Sequence, residues 1–494
     1  MSTLRTDTLQ TTDSSFTIDV EDLLSVSQNI SSTKILYTSP LANSVTRTQD
    51  AYNQDRVSVK EFGAVGDGVA DDTVAMNKAH ATGKVIYYPQ GVYNFTSLTP
   101  IARGGIVGEG RDGTTLFCTT TDSSDAIVFN NPNFSPFLKD FTLKAANVGS
   151  LPVKTGGAGI KLAPTSGEIG YTHMTGVLIA FFPKCFETIS ASYMRIESNE
   201  FLGYSEAGLI LENVNMPDSG DSVIVGNLFN TPGTTGASVL QYSSGGTKVV
   251  GNKMLGGANG YVLNYRGTTN SGVLLIAANS IENMSGQAIA LSRQSGLFNF
   301  TNINITGNEI AVGPTGIQTD ASGFISSLII ADNVINLVGT GAGWGINLAT
   351  VSHFYLGGNV IKGNGGTPVG VTIAASCSNG KVGKNAYSTL AGTLDNLSST
   401  VFVDKDRQIG TTTTLNTGWS GYGALFSGPA TTVTFPTQFT VTPAAADITL
   451  RSTSTNGTVG YIITGITNAN FTYIPISAVT SIAAAFSWEV TGII

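Results

Sequence analysis

Few side chains in this 494-residue sequence carry charge: 33 Asp and Glu stand against 25 Lys and Arg, with 3 His and 3 Cys. Two groupings stand out by their spacing. Glu282 and Glu309 form the first, with Asp332 following. Glu212, Asn264 and Asp320 form the second, with Tyr265, Arg266 and Arg293 beside them and Asp218 and Asp221 close after Glu212. Two carboxyl groups held a few ångströms apart can divide the roles of general acid and general base. A polar column edged by a tyrosine ring and arginines can hold a hydroxyl-rich or acidic ligand by stacking and charge-assisted hydrogen bonds. The histidines offer less: His80, His173 and His353 lie far apart with no HxH or HExxH spacing, so neither a metal site nor a cofactor is expected.

What brings these residues together must be a repeat. Asn199, Asn227, Asn252, Asn279, Asn308, Asn333, Asn359 and Asn385 recur every 25 to 29 residues. Three residues before each stand Ile196, Ile224, Val249, Ile276, Ile305, Ile330, Leu356 and Val382. Two residues after stand Phe201, Phe229, Met254, Ile281, Ile310, Ile335, Ile361 and Tyr387. Between the asparagines runs a second track, a small residue followed by alternating apolar positions, as in GIKLA, GLILE, GYVLN and GINLA. Alternation with period two is a strand signal, and several strands per turn of about 26 residues predict an all-β, right-handed parallel β-helix. Offsets −3 and +2 cannot both point inward along one straight strand, so the chain must bend near the asparagine. Stacked asparagines there can bond coil to coil and tolerate a left-handed corner.

Composition agrees. Glycine numbers 59, only 12% of residues are charged, and net charge is −8 with no Lys/Arg-rich run, which argues against nucleic-acid binding. The N-terminus lacks an apolar core and no stretch approaches ~18 continuous apolar residues, so neither signal peptide nor membrane insertion is expected. Cys118, Cys185 and Cys377 are too scattered for a metal pair and read as buried thiols.

Residues 57–73, VSVKEFGAVGDGVADDT, lead into YPQGVY at 88–93 and GEGRDG at 108–113. These motifs, with the coils, resemble the pectate-lyase-like β-helix of bacteriophage tailspikes over about residues 50 to 400. A solenoid end needs a cap, and Asp71 or Asp72 can start a short helix whose Val74, Ala75 and Ala79 cover the first coil. The resemblance implies a virion-attachment segment at 1–50, a capped β-helix at 51–405 and a small C-terminal β domain at 406–494 that trimerises or touches sugar. It also implies a homotrimer on the virion tail, made in the host cytoplasm and acting outside the target cell. Such a protein joins the tail or baseplate, directly or through an adaptor, by its N-terminus and binds, often depolymerises, a bacterial surface polysaccharide.

Glycoside hydrolysis needs two carboxyl groups, ~5 to 5.5 Å apart for retention and ~6.5 to 9.5 Å for inversion. If offset +2 points inward, +1 and +3 point outward. Glu282 and Glu309 then lie diagonally on adjacent coils, roughly 8 Å apart given ~4.8 Å between coils and ~6.6 Å along the strand. That suits an inverting pair, with Asp332 a further candidate. The rival site is the column Glu212, Asn264, Asp320, with Tyr265, Arg266 and Arg293 as substrate contacts and Asp218 and Asp221 as further acids. There an arginine beside a uronic acid would allow lyase chemistry. A non-catalytic receptor-binding protein on the same scaffold is the alternative to a depolymerase, and a secreted pectinase-like enzyme is a third reading.

Overall fold

The computed structural model describes residues 35–403, apart from short segments at 216–219, 244, 267–271, 294–299, 322–324, 340 and 397–400, and a set of strands between 406 and 492. The chain winds through three parallel sheets in turn. Sheet 1 has 14 strands, from Val57–Ser58 to Phe402–Val403; sheet 2 has 13, from Asp67–Asp71 to Ala386–Ser388; sheet 3 has 12, from Leu98–Ile101 to Gly392–Asn396. One coil shows the pattern: Arg195–Glu197 in sheet 1, Glu200–Leu202 in sheet 2 and Ala207–Leu211 in sheet 3, each paired in parallel with its equivalent on the next coil. This is the expected right-handed parallel β-helix. Among the described residues no helix is long and apolar enough to cross a membrane.

The apolar columns fill the interior. All eight residues at offset −3 are buried, as are seven at offset +2; Tyr387, on the last coil, is only partly so. Like residues stack on like, as where the Phe201 and Phe229 rings stack 4.7 Å apart with nearly parallel planes. Each such side chain contributes about 1.5–3 kcal/mol through area removed from water. Cys118, Cys185 and Cys377 are buried cysteines.

The asparagines bond the coils together at the bend between sheets 1 and 2. The backbone N–H of Asn252 donates to Oδ1 of Asn279 at 2.9 Å, and Nδ2 of Asn252 donates to the same oxygen at 3.0 Å. Nδ2 also donates to the Ile224 carbonyl of the preceding coil at 2.9 Å. The pattern repeats from Asn199 to Asn385. The left-handed residue, however, is the one before each of the first seven asparagines: Ser198, Gly226, Gly251, Ala278, Gly307, Asp332 and Gly358 all have φ between 53° and 72°. Glycine is frequent there because it lacks the Cβ that penalises positive φ.

At the N-terminal end, the helix Thr73–His80 closes the solenoid and buries Ala75, Met76, Ala79 and His80. Val74 is exposed rather than covering the coil, because the helix turns that side to solvent. Asp72 occupies the N-cap position, yet its carboxylate accepts from Val65 N at 2.6 Å and Gly66 N at 3.1 Å, tying the preceding loop down. The Asp71 carboxylate accepts from Thr73 N at 3.0 Å instead. Gly66 is required by space as well as by φ of 66°, since a Cβ would lie 2.6 Å from the Tyr93 ring.

After Val403 strand pairing changes from parallel to antiparallel. Asp406–Thr414 and Ile448–Ser452 flank Ala484–Gly492 in one sheet. Asn470–Ser477 pairs with Leu425–Ser427, Thr431–Thr434 and Val459–Ile466 in another.

Candidate functional site

Two regions carry the residues singled out above. The first is the outward face of sheet 2. There Ser280 pairs with Glu309 and Glu282 with Ala311, so Glu282 and Glu309 are diagonal neighbours on adjacent coils. The spacing follows from sheet geometry at roughly 8 Å. Glu282 accepts a hydrogen bond from Ser280 Oγ at 2.7 Å and faces Lys253 Nζ at 3.6 Å. Glu309 is exposed on its strand. Asp332 does not extend this diagonal: with φ of 57° it occupies the left-handed corner ahead of the asparagine ladder, off the sheet 2 face.

The second region is the rim where sheet 3 ends and the chain turns toward sheet 1. The connections here are longer than those at the asparagine bend: Leu211 is followed by Val223 as the next strand residue, Arg293 by Ile303 and Thr319 by Leu328. Functional side chains concentrate on such connections because a rigid scaffold carries them. Glu212, Tyr242, Asn264, Ser292 and Asp320 follow one another along the rim, held by Tyr242 N to Leu211 O at 2.8 Å, Asn264 opposite Ser292, and Asp320 N to Leu291 O at 3.0 Å.

The centre of the rim is Arg266. Its backbone N–H donates to the Tyr242 carbonyl at 2.9 Å, its Nη1 donates to Glu212 Oε1 at 2.7 Å, and its guanidinium lies 3.5 Å from the centroid of the Tyr242 ring. Glu212 is fixed from behind by Thr188, whose Oγ1 accepts from Glu212 N at 2.7 Å. Burial raises the Tyr242 hydroxyl above the ordinary tyrosine value, so it remains a neutral donor. One coil earlier the charged surface continues. Glu187 bonds Lys184 at 2.7 Å and pairs with Lys161 at 3.2 Å, and Lys161 reaches Asp125 at 3.1 Å. Burial alone would lower the Lys161 ammonium, but Glu187 and Asp125 outweigh it and raise it.

Other residues of the second grouping fall differently. Tyr265 is buried and meets the Phe300 ring edge-on at 5.4 Å, so it cannot stack on a ligand; alternation continues past Asn264 and turns it into the core. Arg293 pairs with Tyr265 on the neighbouring coil, and its backbone N–H approaches Asp320 Oδ2 at 3.4 Å. Asp221 is exposed and accepts from Gly246 N. Asp218 lies outside the described residues. Tyr242 carries little signal in the sequence: its strand, ASVLQ, has Ser238 where most coils have glycine or alanine, and the buried Gln241 hides the alternation.

Three coiled parallel sheets with a helical cap make this chain a parallel β-helix, the fold its opening motifs implied. Residues 56–175 match the family of rhamnogalacturonase A/epimerase, pectate lyase-like proteins. The pre-neck appendage protein of Bacillus phage B103 is 34% identical over 108 residues, 21% of this chain, and that of Bacillus phage phi29 is 31% identical over 112 residues, 22% of this chain. The match spans only 13% of the length of either appendage protein. Among solved structures, a tailspike double mutant of E. coli bacteriophage HK620 in complex with a pentasaccharide aligns with 94% of this chain and 98% of its own, at 13% identity and a TM-score of 0.56. At that identity the likeness is one of fold.

Proposed function

We propose that this chain is a phage tail-appendage protein that binds a bacterial surface polysaccharide along the rim of sheet 3. The observation that carries this reading is the Arg266 guanidinium, pinned between the Tyr242 ring and Glu212 on a surface bordered by the molecule's longer connections. Half-buried, preoriented arginine and tyrosine suit a ligand that offers hydroxyls and carboxylates. The appendage relatives and the fold shared with a pentasaccharide-bound tailspike support the same reading. The assembly we infer is a homotrimer joined to the tail by residues 1–50, with the units 51–405 and 406–494 as separate working parts. Sedimentation of a monomer at micromolar concentration would remove the trimer.

A second, hydrolytic reading is favoured by the register of Glu282 and Glu309, whose diagonal spacing falls in the inverting range. In this reading one protonates the leaving oxygen and the other activates water.

The test is binding of the purified chain to a panel of bacterial capsular and O-antigen polysaccharides, with Arg266→Ala in parallel, followed by sizing and NMR of the polymer. Binding by the wild type that the variant loses is the expected result. Binding unchanged in the variant would remove the rim as the site. A shortened polymer identifies a depolymerase, and an unsaturated end would assign a lyase rather than a hydrolase.

A further inference from the structure

We propose that Tyr171 and Tyr193 form a carbohydrate-stacking subsite that extends the rim toward the capped end of the β-helix and takes a pyranose ring of the bound polymer. This rests on the polysaccharide-binding reading of the rim.

The two rings stand on adjacent coils, with centroids 5.2 Å apart and planes 13° from parallel. Tyr171 is 70% exposed and Tyr193 43% exposed. Each residue sits at positive φ, 55° and 53°. For a bulky side chain that conformation is strained. In most strained positions packing offsets the cost. Here the rings point into solvent and leave an outer aromatic face open, so core burial does not offset it.

The surroundings suit a sugar. Tyr171 N donates to Ser192 O at 3.2 Å, joining the two coils. Beside the rings, Glu168 Oε2 accepts from Ser192 Oγ and from Asn213 Nδ2, each at 2.7 Å. The carboxylate is thus fixed in place with its other oxygen still able to accept from a hydroxyl. Asn213 directly follows Glu212, and Ala191 N donates to the Glu212 carbonyl at 3.3 Å, so this platform and the Arg266 cluster form one continuous edge. From the Tyr193 coil to the Asp320 coil the edge spans five coil steps, roughly 24 Å at ~4.8 Å per step. That accommodates an extended oligosaccharide rather than a single sugar. Tyrosine suits the role because a rigid ring gives large contact area at low entropic cost while its hydroxyl remains wet.

The experiment compares wild type, Tyr171→Gly, Tyr193→Gly, Tyr193→Phe and Arg266→Ala for binding to the panel of capsular and O-antigen polysaccharides, with thermal unfolding of each. Glycine removes the ring and relaxes the positive φ, so the stability of both glycine variants should hold while affinity falls about fivefold or more. Tyr193→Phe keeps the stacking face and should bind within about twofold. Affinity unchanged in both glycine variants while Arg266→Ala loses binding would overturn the subsite and leave the rim standing. Melting temperatures that drop in the glycine variants, with affinity intact, would make the stack a structural ladder instead. A wild type that binds no polysaccharide on the panel would overturn both readings.

Discussion

The outer face of sheet 2 and the rim of sheet 3 both collect acids, but the company those acids keep differs. On sheet 2, Glu282 shares one exposed lysine and Glu309 stands exposed on a regular strand. On the rim, Glu212 is held by Arg266, Glu187 by two lysines, and the arginine itself rests on a ring. A carboxylate already bonded to cations has its oxygens occupied, whereas a preoriented cation and ring make a good binding surface. On the proposed reading, recognition and proton transfer are assigned to different faces. In the proposed function the rim holds the polymer, and in the hydrolytic reading the sheet 2 diagonal, with an exposed Glu309, carries the proton transfer.

That division can be broken at several points. The largest effect belongs to sheet 2: Glu282→Gln or Glu309→Gln should lower polymer cleavage about 10²–10⁴-fold while leaving polysaccharide binding intact. Full cleavage by both variants, measured by sizing the polymer, would discard the pair. Next comes the shared scaffold. Asn279→Ala removes the oxygen that accepts both the backbone and side-chain N–H of Asn252, and should cost about 2–4 kcal/mol in denaturant unfolding, weakening both regions alike.

The cap should respond to pH separately from either face. Burial lowers His80 from 6.5 to about 4, with Nε2 beside the Tyr88 hydroxyl at 2.9 Å. Between those values the unfolded chain binds a proton that the folded cap refuses, so stability is full above pH 6.5 and declines as pH falls toward 4. Thermal melts across that range should show the slope in the wild type and its loss in His80→Phe; an identical slope in both would locate the titration elsewhere. The smallest effect sharpens the rim: Tyr242→Phe keeps the ring under Arg266 and should change affinity less than about twofold, whereas Tyr242→Ala should cost about fivefold.

The repeat made most of the fold readable. Offsets −3 and +2 predicted the inward columns because burial follows a fixed period, and the asparagine ladder followed from identical residues stacked at a fixed interval. Local conformation was less legible: the left-handed residue is the neighbour before the asparagine, a choice made by the bend and visible in sequence only as the glycines of VGN and TGN. On the rim, column counting reaches Glu212, with Arg266 beside the column, but the strand continues through Tyr265 and buries the ring expected to contact substrate. Tyr242 escaped because Ser238 and Gln241 break the small-residue and alternation signals on that coil. Lys161 and Glu187 lie within strands of neighbouring coils, and only the register brings them together, with Lys184 joining from the start of the Glu187 strand.

Hydrogen exchange of the wild-type chain with and without its polysaccharide separates the two faces. Slowed exchange is expected along the rim, in 211–215, 241–243 and 259–266, with sheet 2 strands 253–255 and 334–337 unchanged. Protection confined to the sheet 2 strands, with the rim unaffected, would contradict the proposed function.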